Sequence, residues 1–287
     1  MKRTVLMSLS LLVLLPLAAC NRPASAPQAD ANAPATPAAD AKPSAAAEAA
    51  AAAANSGAMP TGDATAADAS TPNPAADAAV DAVAQASTTG TPVAGTDYVL
   101  IQGGQPYAPL NGKIEVVEVF GYVCPACAAF NPLVSAWKSK LPKDVRFTYV
   151  PAPFGTEWNP YAKAFYVADS MNLVDRSHDA LIKAIHVDQT MPGEGDPVNE
   201  QAIADFYGKY GANPKEFLST MNSFTVAGQV NRGRQFMIRT GANSTPTLIV
   251  NGKYRVMGDT FEAMLRNASA LIARERAATG GMAPAKG

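Results

Sequence analysis

The 75 residues from Asn21 to Gly95 include 31 Ala and 9 Pro but not one Leu, Ile, Phe, Tyr or Trp. A stretch with so little large apolar side chain cannot offset its own conformational entropy, so it is expected to stay disordered. The 48% hydrophobic content of the 287-residue chain is correspondingly inflated by alanine. What can fold is 96–287, long enough for one core and an inserted subdomain. Charge adds little: the net value is −1, with 19 basic and 17 acidic residues in 96–287. No basic stripe interleaved with aromatics is present, so a nucleic-acid partner is not expected.

Ahead of that stretch, Lys2 and Arg3 precede an apolar run from Thr4 to Leu15, then Pro16 and Leu17-Ala18-Ala19-Cys20. This reads as a secretory signal over 1–19, the alternative being an uncleaved anchor. Leu-Ala-Ala-Cys is similar to the lipobox of bacterial lipoproteins, which implies lipidation of Cys20 and a membrane attachment in the periplasm. An ordinary signal with a cysteine beside its cleavage site is the other reading. Residues 20–95 would then be an Ala/Pro-rich tether, spanning on the order of 50 Å as a flexible coil.

In the rest of the chain, Tyr98–Ile101, Ile114–Phe120 and Val145–Val150 read as strands. A helix from Cys124 or Pro125 to about Leu141 is suggested by proline in its first turn and Pro142 after it. The pattern from about 160 to 222 is helical, broken by Gly/Pro loops, and a longer helix follows from Phe224 to Thr240. Asn251-Gly252 between Thr247–Val250 and Lys253–Met257 signals a hairpin, and Phe261–Arg276 an amphipathic helix, leaving 277–287 as a flexible tail. This order fits an α/β thioredoxin fold, 96–276, with an inserted helical subdomain.

The chain has three cysteines, Cys20, Cys124 and Cys127. Cys124-Pro-Ala-Cys127 could be half of a zinc site, but no second pair exists, and His178 and His186 both fall on the helical insertion. Thiol–disulfide exchange remains. Cys124 at a helix N-terminus would face free N–H groups and the positive end of the dipole, which favour its thiolate. Cys127, one turn on, would face inward and could close on Cys124 to release a mixed disulfide. The redox group would be the Cys124–Cys127 disulfide itself, with no added cofactor and no metal.

Glu118-Val-Phe-Gly-Tyr-Val-Cys124-Pro-Ala-Cys127-Ala-Ala-Phe130, Leu141-Pro-Lys-Asp-Val145 and Thr245-Pro246-Thr-Leu-Ile-Val-Asn251-Gly252-Lys253-Tyr254 together resemble the DsbA family of periplasmic thiol:disulfide oxidoreductases. The resemblance covers nearly all of 97–276. It implies oxidation of cysteines in unfolded or reduced secreted proteins, and reoxidation by a DsbB-like, quinone-linked membrane partner. It also implies a cis Thr245–Pro246 bond beside the sulfurs, so that Thr245, Pro246, Pro125 and Ala126 would meet an extended substrate. Two departures bear on the poise of the pair. Ala126 stands where the family's prototype has histidine, which predicts a less oxidising disulfide, and Thr245 replaces its valine.

Strand alternation puts Glu118 on the face of Ile114, Val116 and Phe120. Buried there, it would have a raised pKa and could exchange a proton with Cys127. Alternatively, Glu115 and Glu118 are exposed strand ends. The prototype's partner lysine on the next strand is Tyr149 here. Phe120, Tyr122 and Phe130 could line a peptide groove or belong to the core, and Met221, Met237, Met257 and Met264 are expected in the core. Besides the oxidase, two readings stay open: a reductase or isomerase on the same fold, and a client-binding lipoprotein that does no chemistry.

Overall fold

The computed structural model describes residues 73–86 and 90–280. The expected signal peptide, the expected lipidation site Cys20 and the expected tether as far as residue 72 lie outside the described residues, as does the expected tail beyond 280.

Five strands form one sheet: β1 (Tyr98–Leu100), β2 (Ile114–Phe120), β3 (Val145–Pro151), β4 (Thr247–Val250) and β5 (Tyr254–Val256), in the order β1-β5-β4-β2-β3. Only β2 and β3 are parallel, and the helix α2 (Pro125–Ser139) makes the crossover between them. The β4–β5 hairpin turns on Asn251 (φ 50°) and Gly252 (φ 66°), the positive-φ pair that the sequence signals. A Cβ on Gly252 would lie 2.0 Å from the Gln105 carbonyl oxygen, so only glycine fits there.

Between β3 and β4 the chain leaves the sheet for α3 (Trp158–Ser170), α4 (Val174–His186), α5 (Glu200–Gly208) and α6 (Pro214–Met221), and returns along α7 (Phe224–Thr240). Asn199, Asn213 and Ser223 cap α5, α6 and α7 with their side chains, and Gly241 at φ 67° ends α7. Two apolar clusters sandwich the sheet. Val117, Val119, Val150 and Ile249 pack with the inserted helices through Phe165, Leu181, Phe206 and Phe236. On the other side, Val116, Leu248 and Val250 pack with Phe130, Leu133 and Trp137 of α2 and with Phe261, Leu265 and Ile272 of α8 (Phe261–Gly280). Met221, Met237 and Met264 are buried as expected, and Met257 is half-buried.

Two boundaries differ from the sequence reading. The tether expected over 20–95 contains a helix, α1 (Pro74–Ala86), whose Ala76, Val80 and Val83 are buried in the same cluster as α2 and α8. Asn73 Oδ1 accepts from the Ala76 N–H at 3.2 Å and Pro74 opens the first turn, so the helix starts on ordinary capping signals. Small side chains suffice because the surface they meet supplies the large ones. At the other end α8 continues to Gly280, past the expected tail boundary at 277, through the helix-favouring Ala277 and Ala278.

Candidate active site

Cys124 is the N-cap of α2, with extended backbone (φ −79°, ψ 116°). Its sulfur takes the place of the oxygen that usually caps a helix, accepting the Cys127 N–H at 3.2 Å. Pro125 follows at the first helical position, where a missing N–H costs nothing. Both thiols are free in this structure and both are largely buried, Cys127 the more deeply.

Hydrogen bonding from the Cys127 side chain lowers the Cys124 pKa to about 7, helped by the Thr245 side chain and the Cys127 and Ala126 N–H groups, against the opposing effect of burial. Cys127 is pushed the other way, well above the ordinary thiol range, first by burial and then by Cys124 and Glu118. The two sulfurs therefore differ strongly in their readiness to ionise, in the sense expected from their places on the helix.

The Thr245–Pro246 bond is cis, and the Thr245 carbonyl accepts from Cys124 Sγ at 3.6 Å. Thr245 itself is buried, Pro246 and Ala126 are half-buried and Pro125 is exposed. Thr245 is thus in direct contact with Cys124, and Pro125 and Ala126 follow it in the first turn of α2.

Every residue of β2 is buried, Glu118 and Glu115 included. Glu115 faces the opposite side from Glu118 and is fully paired: it takes the Arg146 guanidinium at 2.7 Å and the N–H groups of Tyr107 and Ala108. Glu118 has no such relief, and its Oε2 is buried without a hydrogen bond among the described residues. Burial raises its pKa to about 8, opposed by Lys138 and reinforced by Cys124 and Asp179. Tyr149 is its neighbour in the β2–β3 ladder. Lys138 of α2 lies over the Tyr149 ring at 5.0 Å, with Nζ 3.4 Å from the hydroxyl. The positive charge near Glu118 thus comes from the redox helix and not from β3. Sequence reasoning missed it, although Lys138 stands three turns beyond Cys127 and so falls on its side of α2.

Phe120, Tyr122 and Phe130 are each 2% exposed or less, which makes them core and not groove.

A thioredoxin family model matches residues 101–267. The thiol:disulfide interchange protein DsbA of Pseudomonas aeruginosa is 38% identical over 188 residues, covering 64% of this chain and 86% of that protein. Its counterpart in Pseudomonas syringae is 37% identical and covered to 85%. Among solved structures, the oxidoreductase DsbA from Xylella fastidiosa is 45% identical with a TM-score of 0.63, covering 66% of this chain and all of its own. DsbA of Pseudomonas aeruginosa superposes with a TM-score of 0.58 at 37% identity, over 66% of this chain and 97% of that one. With its paired thiols at the N-terminus of α2 and its inserted helices, the chain belongs to the DsbA family of thiol:disulfide oxidoreductases.

Proposed function

We propose that the protein oxidises dithiols of secreted proteins outside the cytoplasm, with Cys124 as the exchanging sulfur. The carrying observation is the asymmetry of the pair: one sulfur capped by N–H groups at the mouth of the site, the other buried beneath it. In the oxidised enzyme a client thiolate attacks Cys124 Sγ, forming a mixed disulfide, and Cys127 leaves as the thiolate. The second client thiolate then attacks the client sulfur, and Cys124 leaves as a thiolate stabilised by its N–H contacts. The client has lost two electrons, and the Cys124–Cys127 disulfide has become a dithiol.

Glu118 takes part as the proton store for Cys127. With a pKa near that of a thiol it can give up a proton to the emerging Cys127 thiolate and take it back on reoxidation. Thr245 and Pro246, with Pro125 and Ala126, form the surface on which the client backbone lies. A quinone-linked membrane oxidase of the DsbB type would restore the disulfide. Cys20 would carry the lipid that holds the protein at a membrane facing the periplasm. Among the described residues no helix is long and apolar enough to cross a membrane.

A Cys127→Ser variant, whose Cys124 thiolate can still attack a client disulfide, should accumulate clients as mixed disulfides on Cys124, because the Cys127 attack that would resolve them in the reverse direction is gone. Trapping by Cys124→Ser instead would reverse the assignment of the two sulfurs. The opposite net direction, reduction of client disulfides, finds support in Ala126, which offers Cys124 neither charge nor hydrogen-bond donor from its side chain. Equilibration with glutathione decides between the two: an oxidase has a potential well above that of the glutathione pool, a reductase one below it.

A further inference from the structure

The chain has two histidines, and both are on α4. They converge on a single residue of the turn that carries the chain from β2 into Cys124. His178 Nδ1 is 3.1 Å from the Tyr122 hydroxyl, and His186 Nε2 is 2.7 Å from the Tyr122 carbonyl oxygen. A carbonyl can only accept, so the proton of the neutral His186 ring is on Nε2. One residue is therefore held twice, by its side chain and by its main chain, from one helix of the insertion.

The turn so held is the one that presents the sulfur. Cys124 N–H donates to the Gly121 carbonyl at 3.2 Å, with Tyr122 and Val123 between them. The buried Tyr122 ring meets Phe120 edge-on at 5.1 Å, while the His178 ring stacks on Tyr149 at 4.2 Å. Next to His178, Asp179 reaches the far side of the cysteines, accepting from Asn131 Nδ2 at 3.0 Å and Ser135 Oγ at 3.4 Å on α2. Helix α4 thus grips the redox pair both before and after it in sequence. Among the described residues, the hydrogen bonds at the Cys124 sulfur go to Thr245 and Cys127 and not to either histidine or Asp179.

We propose that α4 is a clamp that positions the redox pair, His178 and His186 fixing Tyr122 and Asp179 fixing Asn131, so that Cys124 Sγ stays aligned with the N–H groups of α2. The inference deepens the proposed function and rests on Cys124 being the exchanging sulfur. A hydrogen bond weakens steeply as its geometry departs from linear, so a turn free to shift would lose the capping contact that stabilises the thiolate. His178, His186 and Asp179 are positioning residues in this arrangement.

The test uses the reduced full-length protein, reading the Cys124 titration by thiolate absorbance and its alkylation rate by iodoacetamide below pH 7. His186→Ala removes the donor to the Tyr122 carbonyl, and His186→Gln supplies an N–H in its place. Alanine should raise the Cys124 midpoint and slow alkylation about three-fold, the fall in thiolate being partly offset by its greater nucleophilicity. Glutamine should restore most of the rate. Tyr122→Phe, which removes only the hydroxyl that meets His178, should shift the midpoint in the same direction and keeps the test alive if the alanine variant fails to fold. Wild-type titration and alkylation in both His186→Ala and Tyr122→Phe, whatever their melting temperatures, would overturn the clamp, as would equal slowing by alanine and glutamine. Cys124→Ser separates the two levels of the argument. Fast alkylation that survives it defeats the proposed function, whereas its loss there with unchanged rates in the other variants defeats only the clamp.

Discussion

Glu118 and Glu115 are three residues apart on one strand and equally buried, yet they carry opposite electrostatic assignments. Glu115 has a guanidinium and two backbone donors, whereas Glu118 has a buried oxygen with no hydrogen bond among the described residues. Its carboxyl is neutral in the folded protein below about pH 8, although in an unfolded chain it ionises near 4.5. A carboxyl whose folded pKa is raised contributes stability that is fully present below the unfolded value and is lost as pH rises through the folded one. The window here runs from about pH 4.5 to 8. In the disulfide form, where neither thiol titrates, Glu118 should therefore contribute a falling slope across that range, worth on the order of 3–5 kcal/mol, opposed below about pH 6.5 by His178 and His186, whose burial-lowered pKa values make the folded state gain stability as pH rises. Glu118→Gln should flatten that slope and leave the variant more stable than the wild type at pH 8. Denaturant unfolding of the two oxidised proteins at pH 5, 6.5 and 8 measures it, and parallel slopes would show that the carboxyl is solvated or paired in solution.

At the scale of elements, the parts read correctly from sequence are those whose signals are local. Proline after Cys124, the Asn251-Gly252 turn and the apolar period of α7 each lie within a few residues of what they specify. Three features were invisible for physical reasons. Lys138 reaches Tyr149, and His178 and His186 reach Tyr122, only because α2 and α4 are packed by contacts made elsewhere in the chain. Helix α1 was hidden differently: composition argued against any fold, while Asn73-Pro74 and the Ala76, Val80, Val83 stripe carried a capped amphipathic helix in miniature. Its polar contacts, Lys140 to Asp81 at 2.7 Å and to Asp77 at 3.8 Å, are exposed and add little. The apolar stripe holds it. Val80→Asp should release the helix at a cost of about 1–2 kcal/mol, a fall of roughly 2–8 °C in melting temperature, with disulfide exchange intact. Ala82→Asp, on the exposed side of α1, is the control and should melt within a degree or so of wild type. Equal melting of the two variants would mean that α1 does not dock in solution.

For the whole molecule, docking of α1 changes how far the site can stand from a membrane. If the chain is anchored at Cys20, 53 residues, Asn21 to Asn73, separate the anchor from α1, and not the 75 up to Gly95. The first turn of α1, and so the end of the tether, is also fixed to α2 and α8, on the opposite sheet face from much of the insertion. The anchor would then act on reach and presentation, not on chemistry. Labelled palmitate should enter the full-length protein and be lost in Cys20→Ala. A chain beginning at Asn73, which keeps α1, should oxidise a soluble dithiol peptide as fast as the intact protein does. In cells the same truncation, exported behind a cleavable signal peptide without a lipidation cysteine, should impair oxidation of membrane-proximal clients more than of freely diffusing ones. A slower rate for the truncated chain on the soluble peptide would show that residues before Asn73 contribute to the site itself and are not only a tether.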